Sequence, residues 1–278
     1  MSLGTVDAVL AGMRPQETFA KVATPTLVAG RPHSLWYLAG IPGAGSAAAN
    51  TANGVALSSS SALVNGQIRH VDPGSGNSNL ARFLGQATIP GQLLLCDRLM
   101  QVCGNSSGTA LSVTSTSAQT INSGALPARD NAGSTNGDGV LWAMEVAATM
   151  GAGAPTSLTL SYTDQSGNAA ASATNIDSVV TLSQQGAFYR FGLAPGDTGI
   201  RSVQTYTSQA TMTSGTISLV AYRVLASLEI NAALTPAAID ALTGGFALIP
   251  NGAVPFLVFI PQTTTASQIS GQYIESQG

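Results

Sequence analysis

The hydrophobic pattern of this 278-residue chain is one of short strands separated by turns. Residues 157–163 alternate cleanly, with Leu158, Leu160 and Tyr162 on one side and Ser or Thr between them, the period-two signature of a half-buried strand. Residues 164–168 are turn-like, and residues 174–182 are expected to return antiparallel. Residues 93–102 are mostly apolar and read as a strand buried on both faces. Further strands are expected at 140–149, 187–193, 200–206, 216–230, 254–260 and 268–276. Turn chemistry punctuates them: residues 136–139 (NGDG) precede one strand, and Pro195 with Gly196 ends another with the pair that a type II turn prefers. Helix is expected in three short pieces only. Residues 5–13 have Thr5 as cap and Val6, Val9, Leu10 and Met13 on one stripe; residues 34–39 are capped by Ser34 and closed by Gly40; residues 235–242 have Thr235 as cap, Pro236 in the first turn and Gly244 as stop.

Many short strands with almost no crossover helices predict an all-β fold, an antiparallel, jelly-roll-like β-sandwich over residues 81–278. Residues 1–80 read differently, as an extended N-terminal arm with short helices. Pro15, Pro25 and Pro32 interrupt it, and Ala, Ser and Gly dominate residues 43–61. Its large apolar groups Leu27, Leu35, Trp36, Tyr37 and Leu38 are concentrated in a short span. That is the pattern of an anchor set into another surface, either the chain's own β domain or a neighbouring subunit. Deleting residues 1–42 is therefore expected to leave a folded β domain that no longer associates. No repeat of 20–50 residues is visible, which disfavours a solenoid or propeller.

Composition adds a constraint. Only 8 % of the residues are charged, where an ordinary soluble domain carries roughly a quarter, and Lys21 is the sole lysine. Such a chain has few groups for acid, base or metal chemistry, and little charge to keep it soluble as a free monomer. Both points lean toward a structural protein in a larger assembly. With a net charge of −3 and nine arginines spread singly, nucleic acid is not an expected partner. A membrane is not expected either, since no apolar run reaches the roughly 18–20 residues of a span. No basic-then-apolar leader opens the sequence, so assembly in a cytoplasm is expected. Cys96 and Cys103 lie seven apart in one strand-like run, which puts them on opposite faces and predicts two buried free thiols.

Candidate chemistry is sparse. Residues 104–108 (GNSSG) match the nucleophile-elbow pattern around Ser106, but the β-branched, Ser-rich run after them will not begin the required helix, so a plain turn is expected. His33 and His70 have no second His or Cys at ligand spacing, and no metal or cofactor is expected. Asp130, Asn136 and Asp138 fit turn chemistry better than a calcium loop. Asp97 and Arg98 interrupt an apolar strand, so each must be paired or reach the surface. Internal partners and an intersubunit ion pair are both open for them, and the same two readings apply to Arg201.

Residues 33–43 (HSLWYLAGIPG), 77–83 (NSNLARF), 94–99 (LLCDRL) and 196–203 (GDTGIRSV) carry a resemblance to virion structural proteins of tailed bacteriophages. The resemblance implies a place in a phage particle, most simply as a decoration or cement protein on the capsid. Its partners would then be the major capsid protein or other virion proteins, its state a homo-oligomer, and its location the virion. Candidate subunit-interface residues are Leu35, Trp36, Tyr37, Leu38, Asp97, Arg98 and Arg201. A tail, adaptor or major shell component is the alternative within that class. A receptor- or carbohydrate-binding β module is the rival of another class, with Trp36, Tyr37, Trp142, Tyr162, Tyr189 and Tyr206 as possible stacking rings.

Overall fold

The computed structural model describes residues 5–61, 64–153, 155, 157–169 and 171–278. In chain order the elements begin with α1 (Val6–Ala11), β1 (Glu17–Lys21), β2 (His33–Ser34), β3 (Gly40–Ile41), β4 (Val55–Ala56) and a 3-10 turn at Val64–Gly66. There follow β5 (Ser78–Ala87), β6 (Gly91–Val102), β7 (Gln119–Thr120), β8 (Leu141–Ala148), β9 (Leu158–Asp164), β10 (Ala171–Thr174) and β11 (Phe188–Arg190). The last are β12 (Ile200–Ser208), β13 (Thr216–Ile230), β14 (Ala237–Asp240), β15 (Leu248–Ile249), β16 (Pro255–Pro261) and β17 (Ile269–Gln277). The fold is all-β and built of antiparallel sheets, as the alternation predicts. Among the described residues no helix is long and apolar enough to cross a membrane.

The chain forms two compact units, the first made of residues 1–45, 58–97 and 224–278 and the second of residues 46–57 and 98–223. In the first unit β5 lies between β14 and β17, and β17 pairs with β1, which pairs with β3. The opposing layer has β16 between β2 and the first half of β6, with Phe259 opposite Leu93 and Val258 opposite Ser34. Alternate residues of the two layers meet in one core: Phe19, Phe83, Ile269 and Tyr273 against Leu93, Leu95, Leu257 and Phe259.

The second unit repeats the principle with a core of its own. Its sheet runs β10, β9, β12, β7, and the other layer has β8 between β11 and β13. Leu158, Leu160 and Tyr162 are the buried face of β9, as their spacing predicts, and pack with Val203, Tyr206, Trp142, Met144 and Leu219. Sheet-on-sheet burial of alternate side chains is the stabilising principle in both units.

Several expectations are corrected. The arm expected over residues 1–80 is part of the first unit, because Phe19, Leu27, Leu35 and Ile68 belong to its core and β1 hydrogen-bonds to β17. Removing residues 1–42 would therefore unmake that unit. The β region expected to be one sandwich over residues 81–278 is split between two cores. Of the three helices, only the first forms, as α1 with Thr5 accepting from the Ala8 amide. Residues 34–39 instead end β2 and turn. Residues 237–240 add to the edge of β5, and Asp240 then caps a turn through the amides of Leu242 and Thr243. An isolated helix of eight residues is marginal, whereas the free edge of β5 offers hydrogen-bond partners to the same backbone. The return strand expected at 174–182 is β10, ending at Thr174. Gly196 has φ of 93°, the left-handed conformation that a type II turn after Pro195 requires.

Candidate functional site

The charges that interrupt β6 are both fully buried. Asp97 accepts the Val254 amide at 2.8 Å. Arg98 makes a two-pronged ion pair with Glu145 of β8, Nη1 to Oε1 at 3.1 Å and Nη2 to Oε2 at 2.5 Å, and both side chains are fully enclosed. Ser218 donates to the same carboxylate at 3.5 Å and receives Gln101 Nε2 at 3.3 Å. These contacts realise the internal-partner reading of Asp97 and Arg98; as surface groups of an intersubunit ion pair they are corrected. Arg129 follows the same habit, donating to the Leu57 and Arg98 carbonyls, and Arg223 donates to the Asp130 carbonyl. Arg190 pairs with Asp177 through Nε and Nη2.

The expected anchor cluster is likewise turned inward. Leu35 and Trp36 are buried in the first unit, while Tyr37 and Leu38 are half-buried. Trp36 lies edge-on to Phe256, with ring centroids 6.2 Å apart, and both Gly45 and Gly66 press on its indole. Beside it, Lys21 donates to the carbonyls of Leu38, Pro42 and Gly43, and burial lowers its pKa to about 8. Leu35 and Trp36 are therefore not available as interface groups. Arg201 is exposed.

Other candidates resolve into structure. Asn105 Oδ1 accepts the amides of Ser107 and Thr109, closing the turn that carries Ser106. Asp130 collects the amides of Ala132, Ser134, Gly137 and Asp138, and although burial works against ionisation, these donors hold its pKa below the usual value. Cys96 and Cys103 are free, buried thiols, with burial pushing both pKa values up and that of Cys103 to about 11. His33 is buried in β2, and desolvation lowers its pKa to about 4, so the ring is neutral.

One polar cluster escaped the sequence reading. In the first unit the imidazole of His70 is fully enclosed between two carboxylates, Nδ1 being 2.7 Å from Glu275 Oε1 and Nε2 2.9 Å from Asp72 Oδ1. Burial alone would lower its pKa, but the hydrogen bond and charge of Glu275, and then Asp72, overrule that and raise it above 6.5. The Tyr273 hydroxyl also donates to Glu275 Oε1, and burial plus the Glu275 charge keep the phenol protonated. The segment is pinned in place: the Ile68 amide bonds the Pro255 carbonyl, Asp72 accepts the Gly252 amide, and Gln277 donates to the Val71 carbonyl.

Against this cluster opens a pocket of about 160 Å³ lined by Arg14, Pro15, Glu17, Arg69, Val71, Tyr273 and Glu275. Arg69 Nη1 lies 3.4 Å from Glu17 Oε1, and the Arg14 amide bonds the Glu275 carbonyl at 2.9 Å. The Arg14 guanidinium has no side-chain partner among the described residues. The signal in the sequence is the pair of charges flanking His70, in Arg69 and Asp72. Its complement, Glu275, lies far along the chain and is brought near only by the pairing of β17.

Comparison of the chain with known protein families, with characterised proteins and with solved structures finds no match.

Proposed function

We propose that this chain is a structural subunit of a tailed-phage particle, a decoration or cement protein held on the capsid by broad neutral surfaces. The supporting observation is where its scarce charges go. Of 10 basic and 13 acidic residues, Lys21, Asp97, Arg98, Arg129, Asp130, Glu145, Asp164, Asp177, Arg223 and Glu275 are buried. Charges such as Arg82, Arg201 and Glu229 remain at the surface, but they are thinly spread among hydroxyls, small residues and large apolar groups such as Val6, Leu10, Ile41 and Leu242, the last 89 % exposed. A surface so poor in charge has little electrostatic protection against association and little desolvation cost on being covered. Contacts on the order of 1,000 Å² or more could form on it with neighbouring copies and with the major capsid protein.

The test is twofold. Sedimentation velocity of the purified chain is expected to show oligomers. Immunogold labelling of particles purified from its native source is expected to mark the shell. A strictly monomeric chain that is absent from purified particles would refute this reading.

A further inference from the structure

We propose that the pocket between Arg14, Glu17, Arg69 and Glu275 is a binding subsite for one neutral sugar ring. This goes beyond the structural role and does not depend on it.

The charges of the lining are balanced. Two arginines face two glutamates, Arg69 lies against Glu17, and Glu275 is held by His70 and Tyr273. An anionic ligand drawn to Arg14 would also face the carboxylates of Glu17 and Glu275, and a cationic one would compete with His70 for Glu275. A ligand hydroxyl competes with neither, because it both donates and accepts. It can accept from the uncommitted Arg14 guanidinium and donate to the Glu17 carboxylate. Neighbouring hydroxyls of a sugar present that alternation of donor and acceptor along one edge. Pro15 and Val71 supply an apolar wall for the C–H face of the ring.

Size agrees with this chemistry. A dry cavity of roughly 150 Å³ holds benzene, so this pocket of about 160 Å³ can seat one edge of a sugar ring whose remaining hydroxyls stay in solvent. The walls are also set in advance. Glu275 and Tyr273 lie on β17, Glu17 lies on β1, and these strands are paired with Glu17 opposite Tyr273. A pre-formed polar pocket loses little entropy on binding a small ligand.

The experiment uses the full chain and a panel of neutral monosaccharides: glucose, galactose, mannose and N-acetylglucosamine. Saturation-transfer difference NMR and calorimetry are run at low and high salt, with acetate and inorganic phosphate as anion probes. At least one sugar is expected to bind with a millimolar Kd that salt barely changes, since neither partner gains or loses net charge. Arg14→Ala is expected to weaken that sugar about tenfold or more, the loss of one charge-assisted hydrogen bond. Glu17→Gln provides a second, shape-conserving test and is expected to weaken it as well. Thermal melts matching the parent protein establish that both variants are folded. Failure of every sugar to bind, binding unaffected by both variants, or salt-sensitive binding of acetate or phosphate in place of the sugars would each overturn the proposal.

Discussion

Replacing Arg98 by Met tests whether the charges inside the second unit act as a pair. The substitution keeps the aliphatic stem but removes both hydrogen bonds to Glu145, at 3.1 and 2.5 Å, in a site with no solvent access. Among the described residues Glu145 would keep the 3.5 Å contact from Ser218. Leaving a buried charge without its partner costs about 3–5 kcal/mol. At ~4 °C for each kcal/mol in a domain of this size, the melting temperature of the second unit should fall by roughly 12–20 °C. Removing both charges, as Arg98→Met with Glu145→Leu, should recover most of that loss, because two desolvation costs disappear with the attraction. The chain's two tryptophans allow the units to be followed separately, Trp36 being buried in the first and Trp142 in the second. Urea titrations read by Trp142 emission in a Trp36→Phe background give the four corners of a double-mutant cycle. A single-mutant loss below about 1 kcal/mol, or a double mutant less stable than either single, would refute the reasoning.

Two further expectations concern the first unit. The raised pKa of His70 means that the folded state holds its proton above pH 6.5 while the unfolded state has released it. Its stabilising contribution is therefore complete below pH 6.5 and lost as pH rises through the folded value. The urea midpoint read by Trp36 should fall as pH rises above 6.5, and His70→Gln should flatten that slope. Above pH 8 the lowered pKa of Lys21 acts with the opposite sign, until near pH 9 the buried Cys96 and then Tyr273, held protonated in the fold, begin to favour the unfolded chain. A midpoint that does not fall as pH rises above 6.5 would contradict the His70 assignment. Gly45→Ala would place a Cβ 2.3 Å from Trp36 Cε2, an overpacking that costs about 1–3 kcal/mol. An unchanged midpoint with native-like Trp36 emission would show that the indole pocket is looser than its geometry states.

Local pattern determined the strands. Leu158, Leu160 and Tyr162 alternate because side chains on a strand do, and no distant residue is needed to read which face is buried. The same holds for the type II turn at Gly196, the cap at Thr5 and the two buried thiols. Tertiary structure decided what each strand edge and each charge would meet. Residues 237–240 carry helix signals at both ends, yet β5 offered an unfilled edge and they became β14. Leu35 and Trp36 look like an anchor for a neighbour because their partners, Leu257 and Phe256, lie more than two hundred residues away. Arg98 could be read only as needing a partner, and Glu145 is chosen by the arrangement of strands. The pocket at His70 is the extreme case. Its charges come from residues 14–17, 69–72 and 273–275, which acquire a common address only when β17 pairs with β1 and β5. Sequence specifies a residue's own conformational preference, whereas long-range pairing specifies its neighbours, and a site made of neighbours is legible only after folding.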